Sequence, residues 1–238
     1  MNEIDMIESL IQFGITRQEA IIYLCLCRGL TLTGYEVAKQ TGISRSNVYT
    51  ALAGLVEKGA AYLLEGTSAK YTAVSIQEYC DNRLRYLMQI KNNLVNNIHE
   101  TKKDTDGYIT ISSYKHIIDK IYNMLLNAEQ RIYISIHEEV LKAFQFEIES
   151  CIQKNIKVVI ITNGDPKIEG ANVYITKKKD SQLRFIVDSK YVLTGEITGK
   201  ITDSCLYCAN QNFVNVFKEA LRNEIKLIEL NDRREENE

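Results

Sequence analysis

The sequence predicts an α+β, multidomain chain. An N-terminal winged helix-turn-helix is followed by a long helix and then by an α/β domain with a mixed sheet. Three observations carry this. Residues 33–72 hold two short helical patterns split by Gly42-Ile43-Ser44 and followed by a hairpin pattern. Residues 75–103 carry one narrow apolar stripe. Beyond Gly107, strand and helix patterns alternate and then give way to consecutive strands.

Taken in order, Glu3–Phe13 reads as a short helix with Ile4, Ile7, Leu10 and Ile11 inward, broken at Gly14-Ile15. Thr16 and Glu19 have capping-box spacing and open a helix to about Arg28. Its centre, AIIYLCLC, is apolar almost all round, which marks the buried helix of the domain. Thr33 and Glu36 repeat the capping pattern, and Gly42 suits the left-handed conformation that ends a helix. Ser44 is the expected cap of the next helix. There Val48, Leu52, Leu55 and Val56 form a core stripe. The opposite side offers Ser44, Arg45, Ser46, Asn47, Tyr49 and Thr50, small or polar groups able to meet base edges and phosphates in a major groove. Ala61–Leu64 and Tyr71–Ala73 alternate as two wing strands around the polar tip Glu65–Lys70, with Lys70 a further expected DNA contact.

Ser75 and Glu78 form a third capping pattern and start a helix expected to reach about Lys102. Its stripe is Cys80, Leu84, Leu87, Ile90, Leu94 and Ile98, with Asn, Lys, Arg and Gln elsewhere. No neighbouring segment obviously covers it. A coiled-coil-like dimer contact through Leu84, Leu87, Ile90, Leu94 and Ile98 is therefore expected, the other reading being a helix packed on its own chain.

Composition places a domain boundary at Lys102–Gly107. The expected domains are residues 1–74, the long helix 75–103, an α/β domain over 108–230, and a charged, frayed tail 231–238. Within the α/β domain, strands are expected at Tyr108–Ser112, Arg131–Ile136, Lys157–Thr162, Asn172–Thr176, Leu183–Val187, Tyr191–Thr194 and Ser204–Cys208. Helices are expected over Lys115–Asn127, Glu138–Lys154 and Asn212–Leu230. The run VVIIT within Lys157–Thr162 is apolar throughout, as in a strand buried on both faces.

The chain has 238 residues, 45% hydrophobic content and a formal net charge of −2. Residues 1–73 carry six Lys/Arg against seven Asp/Glu. This balance counts against a non-specific nucleic-acid coat protein, whose affinity comes from phosphate neutralisation. No signal peptide or bilayer-length apolar run is visible, so a cytoplasmic protein with no membrane contact and six reduced cysteines is expected.

From Leu10 to Tyr79 the chain resembles the TrmB family of transcriptional regulators. The resemblance rests on Phe13-Gly14-Ile15-Thr16, Glu19-Ala20 with Tyr23, Thr41–Tyr49, Leu52–Gly59, and Lys70-Tyr71 before Val74. Members often carry Arg-Pro in the wing before the Lys-Tyr. Here Thr67-Ser68-Ala69 stands instead, which counts against wing contact with DNA.

Beyond Tyr108 the chain looks like the phospholipase-D-like domain that many such regulators carry. Gln182–Glu196 matches the strand-turn-strand around that superfamily's His-x-Lys-x4-Asp motif. Asp188 takes the Asp position, but Ser181 stands at the His position and Leu183 at the Lys position. The resemblance implies His as nucleophile and Lys as phosphate stabiliser, and neither replacement supplies those functions. A non-catalytic relative is expected, with the second domain sensing a small molecule such as a sugar.

Candidate effector residues are Ser135, His137, Glu138, Thr162, Asn163 and Asp188. They are chosen because α/β sheets hold ligands at the carboxyl ends of their strands, although each is also a plain cap or turn former. Cys205 and Cys208 have C-x-x-C spacing but no companion ligands, so no metal and no cofactor are expected. In a strand they point to opposite faces as small hydrophobes, and Cys25 and Cys27 read the same way. Lys177-Lys178-Lys179 reads as a solvated loop, or else an anion contact.

The expectation is a homodimeric regulator that reads a palindromic operator and responds to an effector. Its rivals are a phospholipase-D-like phosphodiesterase or nuclease, and a winged-helix module that contacts protein.

Overall fold

Local caps set where the N-terminal helices begin. The computed structural model describes residues 2–29, 31–98, 107–176 and 180–235, and it divides into two units, Met1–Thr101 and Lys102–Glu238. In the first unit, reciprocal capping boxes open α1 (Glu3–Gln12) at Asn2/Asp5, α2 (Arg17–Leu26) at Thr16/Glu19 and α3 (Gly34–Thr41) at Thr33/Glu36. Gly42, with φ 71°, closes α3 as expected. Helix α4 (Arg45–Glu57) follows after a short turn.

The wing has one strand more than the sequence suggested. Leu32–Thr33 (β1) pairs with Lys70–Ala73 (β3), which also pairs with Ala61–Leu64 (β2), giving the order β1-β3-β2. Val37, Val48, Leu52 and Leu55 are buried in one core with Ile22, Tyr23 and Leu26 of α2. Ile4, expected inward, is 67% exposed because the first turn of α1 projects beyond that core. Cys25 is buried, its Sγ donating to Gln40 Oε1 at 3.2 Å. Cys27 is exposed, since α2 ends at Leu26 and Cys27 is its C-cap.

Glu19 links three parts of this unit. The residue is 5% exposed, and its carboxylate accepts from the Thr16 N–H at 2.6 Å and pairs with Lys58 Nζ at 2.6 Å, just past the end of α4. It lies against Gly54 of α4, where a Cβ would collide with it.

The long helix α5 runs Ile76–Asn97 and stops short of the expected Lys102. Ile98 is the C-cap in extended backbone (φ −93°, ψ 107°). Asn97 Nδ2 donates to the Asn93 carbonyl at 2.7 Å, and asparagines that bond backbone in this way are weak helix formers. The expected boundary at Lys102–Gly107 lies, except for Gly107, outside the described residues, as does Lys177-Lys178-Lys179. Ser75 caps α5 by accepting from the Glu78 N–H at 3.2 Å. The return bond of a capping box is absent, because the Glu78 carboxylate instead accepts from the Tyr62 hydroxyl at 3.0 Å.

In the second unit a seven-stranded mixed sheet has the order β4-β10-β9-β8-β5-β6-β7. The strands are β4 (Ile109–Ser112), β5 (Arg131–Ser135), β6 (Lys157–Thr162), β7 (Asn172–Ile175), β8 (Gln182–Val187), β9 (Tyr191–Glu196) and β10 (Ser204–Cys208). Strands β5, β6 and β7 are parallel and the remaining pairings antiparallel. Helix α6 (Tyr114–Leu126) and the residues after β5 cover one face. Helix α9 (Gln211–Glu235) covers the other through Val214, Leu221 and Ile228. Strand β6 is buried on both faces, Val158 and Ile160 in one core and Ile161 in the other. Cys205 and Cys208 divide between the same two cores.

Two expectations fail here. The helix expected over Glu138–Lys154 is broken into α7 (Glu138–Leu141), a 3-10 turn (Lys142–Phe144) and α8 (Gln145–Gln153). Phe144 is fully buried edge-on to Tyr122, with centroids 4.8 Å apart. The Tyr122 hydroxyl donates to the Ala143 carbonyl at 2.7 Å, giving that group a partner outside the helical ladder. The last helix also outruns its expected end at Leu230, because α9 continues through Asn231–Glu235. Arg233 and Arg234 in its last turn suit the negative end of the helix dipole.

Two stability predictions follow from these contacts. Helix propensity alone would make Gly54→Ala stabilising by about 1 kcal/mol. The Glu19 contact should reverse the sign, to a loss of about 2 kcal/mol in urea unfolding of the first unit. The second concerns Asp203, which is buried. Burial alone would raise its pKa, but the Thr198 hydroxyl and the N–H groups of Thr198, Gly199 and Lys200 outweigh that and hold it below 3.8. A depressed folded pKa contributes stability that is complete above the unfolded value and lost as pH falls through the folded one. Acid unfolding of the second unit should therefore show a limb below about pH 4 that flattens in Asp203→Asn.

Candidate nucleic-acid interface and effector site

Every residue expected to face DNA is exposed. Ser44, Arg45, Ser46, Asn47, Tyr49 and Thr50 line the start of α4 opposite Val48 and Leu52, and Lys70 opens β3. Ser44 occupies the cap position, its carbonyl accepting from the Val48 N–H at 3.0 Å. Its hydroxyl makes no capping bond, contrary to expectation. The first-turn N–H groups of α4 therefore face outward without a side-chain acceptor from Ser44, as a phosphate contact requires. Thr50 Oγ1 donates to the Ser46 carbonyl at 3.0 Å, leaving its methyl and its lone pairs for a partner.

Two residues of α3, unremarked in the sequence reading, shape this surface. The Arg45 guanidinium lies 4.4 Å from the centroid of the Tyr35 ring, a cation–π contact that limits the directions in which Arg45 can reach. Tyr49 packs over Gly34, where any Cβ would strike its ring. The signal for Tyr35 was present as an aromatic on the polar side of α3, but the pairing depends on how the two helices cross. Glu36 sits close enough to Lys70 to feel its charge. The Thr33 N–H and hydroxyl are the main causes that hold the Glu36 carboxyl below its ordinary pKa, and Lys70 adds to them. Part of the wing's positive charge is thereby already offset.

The stripe on α5 is largely uncovered. Leu84, Leu87, Leu94 and Ile98 are 42–57% exposed and Ile90 half-buried. Met88 and Val95 widen the apolar surface at 55% and 66% exposure. Only Tyr79, at the N-terminal end, is buried.

In the second unit the six expected effector residues do not form one group. Ser135 and Thr162 end neighbouring strands β5 and β6 and are fully buried. Thr162 Oγ1 is buried with no hydrogen-bond partner among the described residues. Above them, Asn163 Oδ1 accepts from the Glu138 N–H at 2.9 Å, and Asn163 Nδ2 lies 3.2 Å from His137 Nε2. His137 Nδ1 accepts from the Glu139 N–H at 3.3 Å as the cap of α7. The Glu138 carboxylate pairs with Lys142 at 2.8 Å and packs over Gly164.

Asp188 lies at the other end of the sheet. It follows β8, which runs antiparallel to β5, so it meets the start of β5 rather than its carboxyl end. Asp188 Oδ1 accepts from the N–H groups of Gln130 (2.7 Å) and Arg131 (2.9 Å), and Oδ2 from that of Glu129 (3.0 Å). Asp188 and Ser189 both have positive φ (52° and 55°), and the Lys190 N–H returns to the Val187 carbonyl at 3.0 Å, as in a type I′ hairpin turn. The aspartate is the clip of a turn.

A cavity of about 380 Å³ opens beside His137. Tyr114, Glu139, Ser181 and Thr198 also line it. Sequence reasoning missed Tyr114 and Thr198, although Ser181 had been marked by its motif position. Leu183, at the motif's Lys position, is fully buried in the α6-side core. The cavity thus lacks the motif's His and Lys.

Among the described residues no His, Cys, Asp or Glu cluster is arranged to hold a metal ion, and no helix is long and apolar enough to cross a membrane. The Cys205 thiol is pushed up to about 12 by burial, with the Asp203 charge adding, which leaves it protonated and unsuited to ligation at neutral pH.

Residues 10–77 match the family model described as sugar-specific transcriptional regulator TrmB. Residues 107–223 match that of the N-terminal subdomain of the TrmB effector-binding domain. YrhO of Bacillus subtilis is 29% identical over 72% of this chain and 63% of its own length. The HTH-type sugar sensing transcriptional regulator TrmBL1 of Pyrococcus furiosus is 23% identical over 68% of this chain and 49% of its own. The chain therefore spans less than two thirds of the curated relatives it matches. Among solved structures, the archaeal chromatin protein TrmBL2 is similar at 18% identity over 94% of this chain and 98% of its own, with a TM-score of 0.45. NucT from Helicobacter pylori is similar at 15% identity over 49% of this chain and 94% of its own, with a TM-score of 0.40. With one family matched in both units, the chain belongs to the TrmB family of transcriptional regulators.

Proposed function

We propose that this regulator is a homodimer that binds a palindromic operator through α4. The observation that carries the reading is the outward polar face of α4, with Arg45 braced on Tyr35 at 4.4 Å. Ser44, Ser46, Asn47, Tyr49 and Thr50 accompany Arg45 in the major groove, and Lys70 touches the backbone. Residues 1–73 lack a basic excess, so one copy binds weakly, and pairing through Leu84, Leu87, Ile90, Leu94 and Ile98 doubles the contacts. The exposure of most of that stripe supports this role. The domains are assigned as residues 1–74 for DNA, 75–103 for dimerisation and 108–230 for regulation. The setting is the cytoplasm.

The second unit senses a small molecule in the cavity beside His137, with Asn163 and Glu138 holding the imidazole in place. TrmBL1 is described as sugar sensing, and a neutral polyhydroxy ligand suits the hydroxyls of Ser181, Thr198 and Tyr114. The ligand acts by favouring one dimer geometry over the other. No phosphodiester turnover is expected, because Ser181 and Leu183 stand where a nucleophile and a cation are needed.

Arg45→Ala should weaken operator binding by about 1–3 kcal/mol, and Thr50→Ala should also weaken it, both with unchanged unfolding. Gel-shift titrations check this, and binding equal to the parent in both variants would mean that α4 is not the reading helix. Replacing Leu87 with Glu should give monomers in sedimentation and a steep loss of operator affinity. A dimer that survives this change places the contact elsewhere.

A further inference from the structure

A second cavity, of about 350 Å³, lies at the opposite end of the β8–β9 hairpin from Ser181. One wall is the last two turns of α6, with Lys120 and Asn123, and its C-cap Asn127. The other is Tyr191 of β9 and Tyr207 of β10, whose rings stack 5.8 Å apart at 14°. Lys190 and Asp188 of the hairpin turn, together with Glu129, complete it.

Lys120 is the unusual member. Its ammonium lies 3.7 Å from the centroid of the Tyr207 ring. Among the described residues no carboxylate pairs with it. Burial lowers its pKa, so it is a partly desolvated cation held by an aromatic face alone. An anion placed against it would regain what burial removed.

The other charges narrow the choice of anion. Lys120 and Lys190 are balanced by Glu129 and Asp188, so the cavity is neutral overall. Asp188 has both oxygens engaged by backbone N–H groups and cannot turn away. A dianion would add two negative charges beside these carboxylates, whereas a neutral sugar would leave Lys120 unmatched. The Glu129 carboxylate and the side-chain carbonyls of Asn123 and Asn127 are exposed acceptors able to take donors from a ligand.

We propose that this cavity binds a small monocarboxylate that carries hydroxyl or ammonium donors on the same skeleton. Its carboxylate meets Lys120 and Lys190, its donors meet Glu129 and the two asparagine carbonyls, and its carbon chain lies on Tyr191. The volume is at the lower end for ligand sites, which fits a metabolite of this size. The site is separate from the one beside His137, and its occupation needs no DNA.

The test uses the full chain with carbon-13 in its methionine methyls. Met124 lines this cavity and is one of four methionines, so its signal is separable. Lactate and gluconate form the hydroxy arm, serine the amino arm, and inorganic phosphate the dianion control. At least one carboxylate should shift the Met124 methyl saturably. Lys120→Leu should weaken that binding about tenfold or more at unchanged unfolding temperature, with Lys120→Gln and Lys190→Ala as further variants should Lys120→Leu fail to fold. No saturable shift with any carboxylate, equal affinity in the lysine variants, or tighter binding of phosphate would overturn the proposal.

Discussion

The buried Glu19 carboxylate is the constraint on which the first unit depends. It closes the N-terminal turn of α2, grips Lys58 at the far end of α4 and occupies the space that Gly54 leaves open. A carboxylate this buried is costly unless paired, so removing Lys58 or displacing the side chain strands a charge. The geometry also has a direction. With one end of α4 held by Glu19 and its stripe of Val48, Leu52 and Leu55 in the core, the polar side of that helix has nowhere to turn but outward. Burial on one side of the helix thus determines exposure on the other.

The second unit separates its tasks by the ends of its sheet. At the carboxyl ends of β5 and β6, polar residues form a hydrogen-bonded group around the His137 imidazole beside an open cavity. At the other end, an aspartate clip, a tyrosine pair and a half-buried lysine surround a different one. The strands between are filled by two apolar cores, one on each face. Six residues of β8, at about 3.3 Å each, separate the ends by about 20 Å. Any influence of one end on the other must pass through packed strands.

What the sequence made legible was local. Capping boxes at Thr16 and Thr33 join groups three residues apart, and the all-apolar β6 could be read as doubly buried from its own composition. The opposite facing of Cys205 and Cys208 follows from strand geometry alone. What escaped depends on distant partners. The break at Phe144 needs Tyr122 on another helix, and the third wing strand is two residues that mean nothing without β3. Asp188 was misplaced because its acceptor role reaches 57–59 residues back along the chain. Of the candidate site, the exposed face of α4 was readable from periodicity, while the bracing of Arg45 by Tyr35 was not.

The hairpin turn at Asp188 bears on how motifs of this kind are interpreted. Three peptide N–H groups and two backbone angles of the less common sign all converge on that side chain. The architecture therefore has its own reason to hold an aspartate there, independent of any reaction. A fingerprint that includes it would register the scaffold whether or not a reaction is carried out, and the positions occupied here by Ser181 and Leu183 are the ones that bear on chemistry.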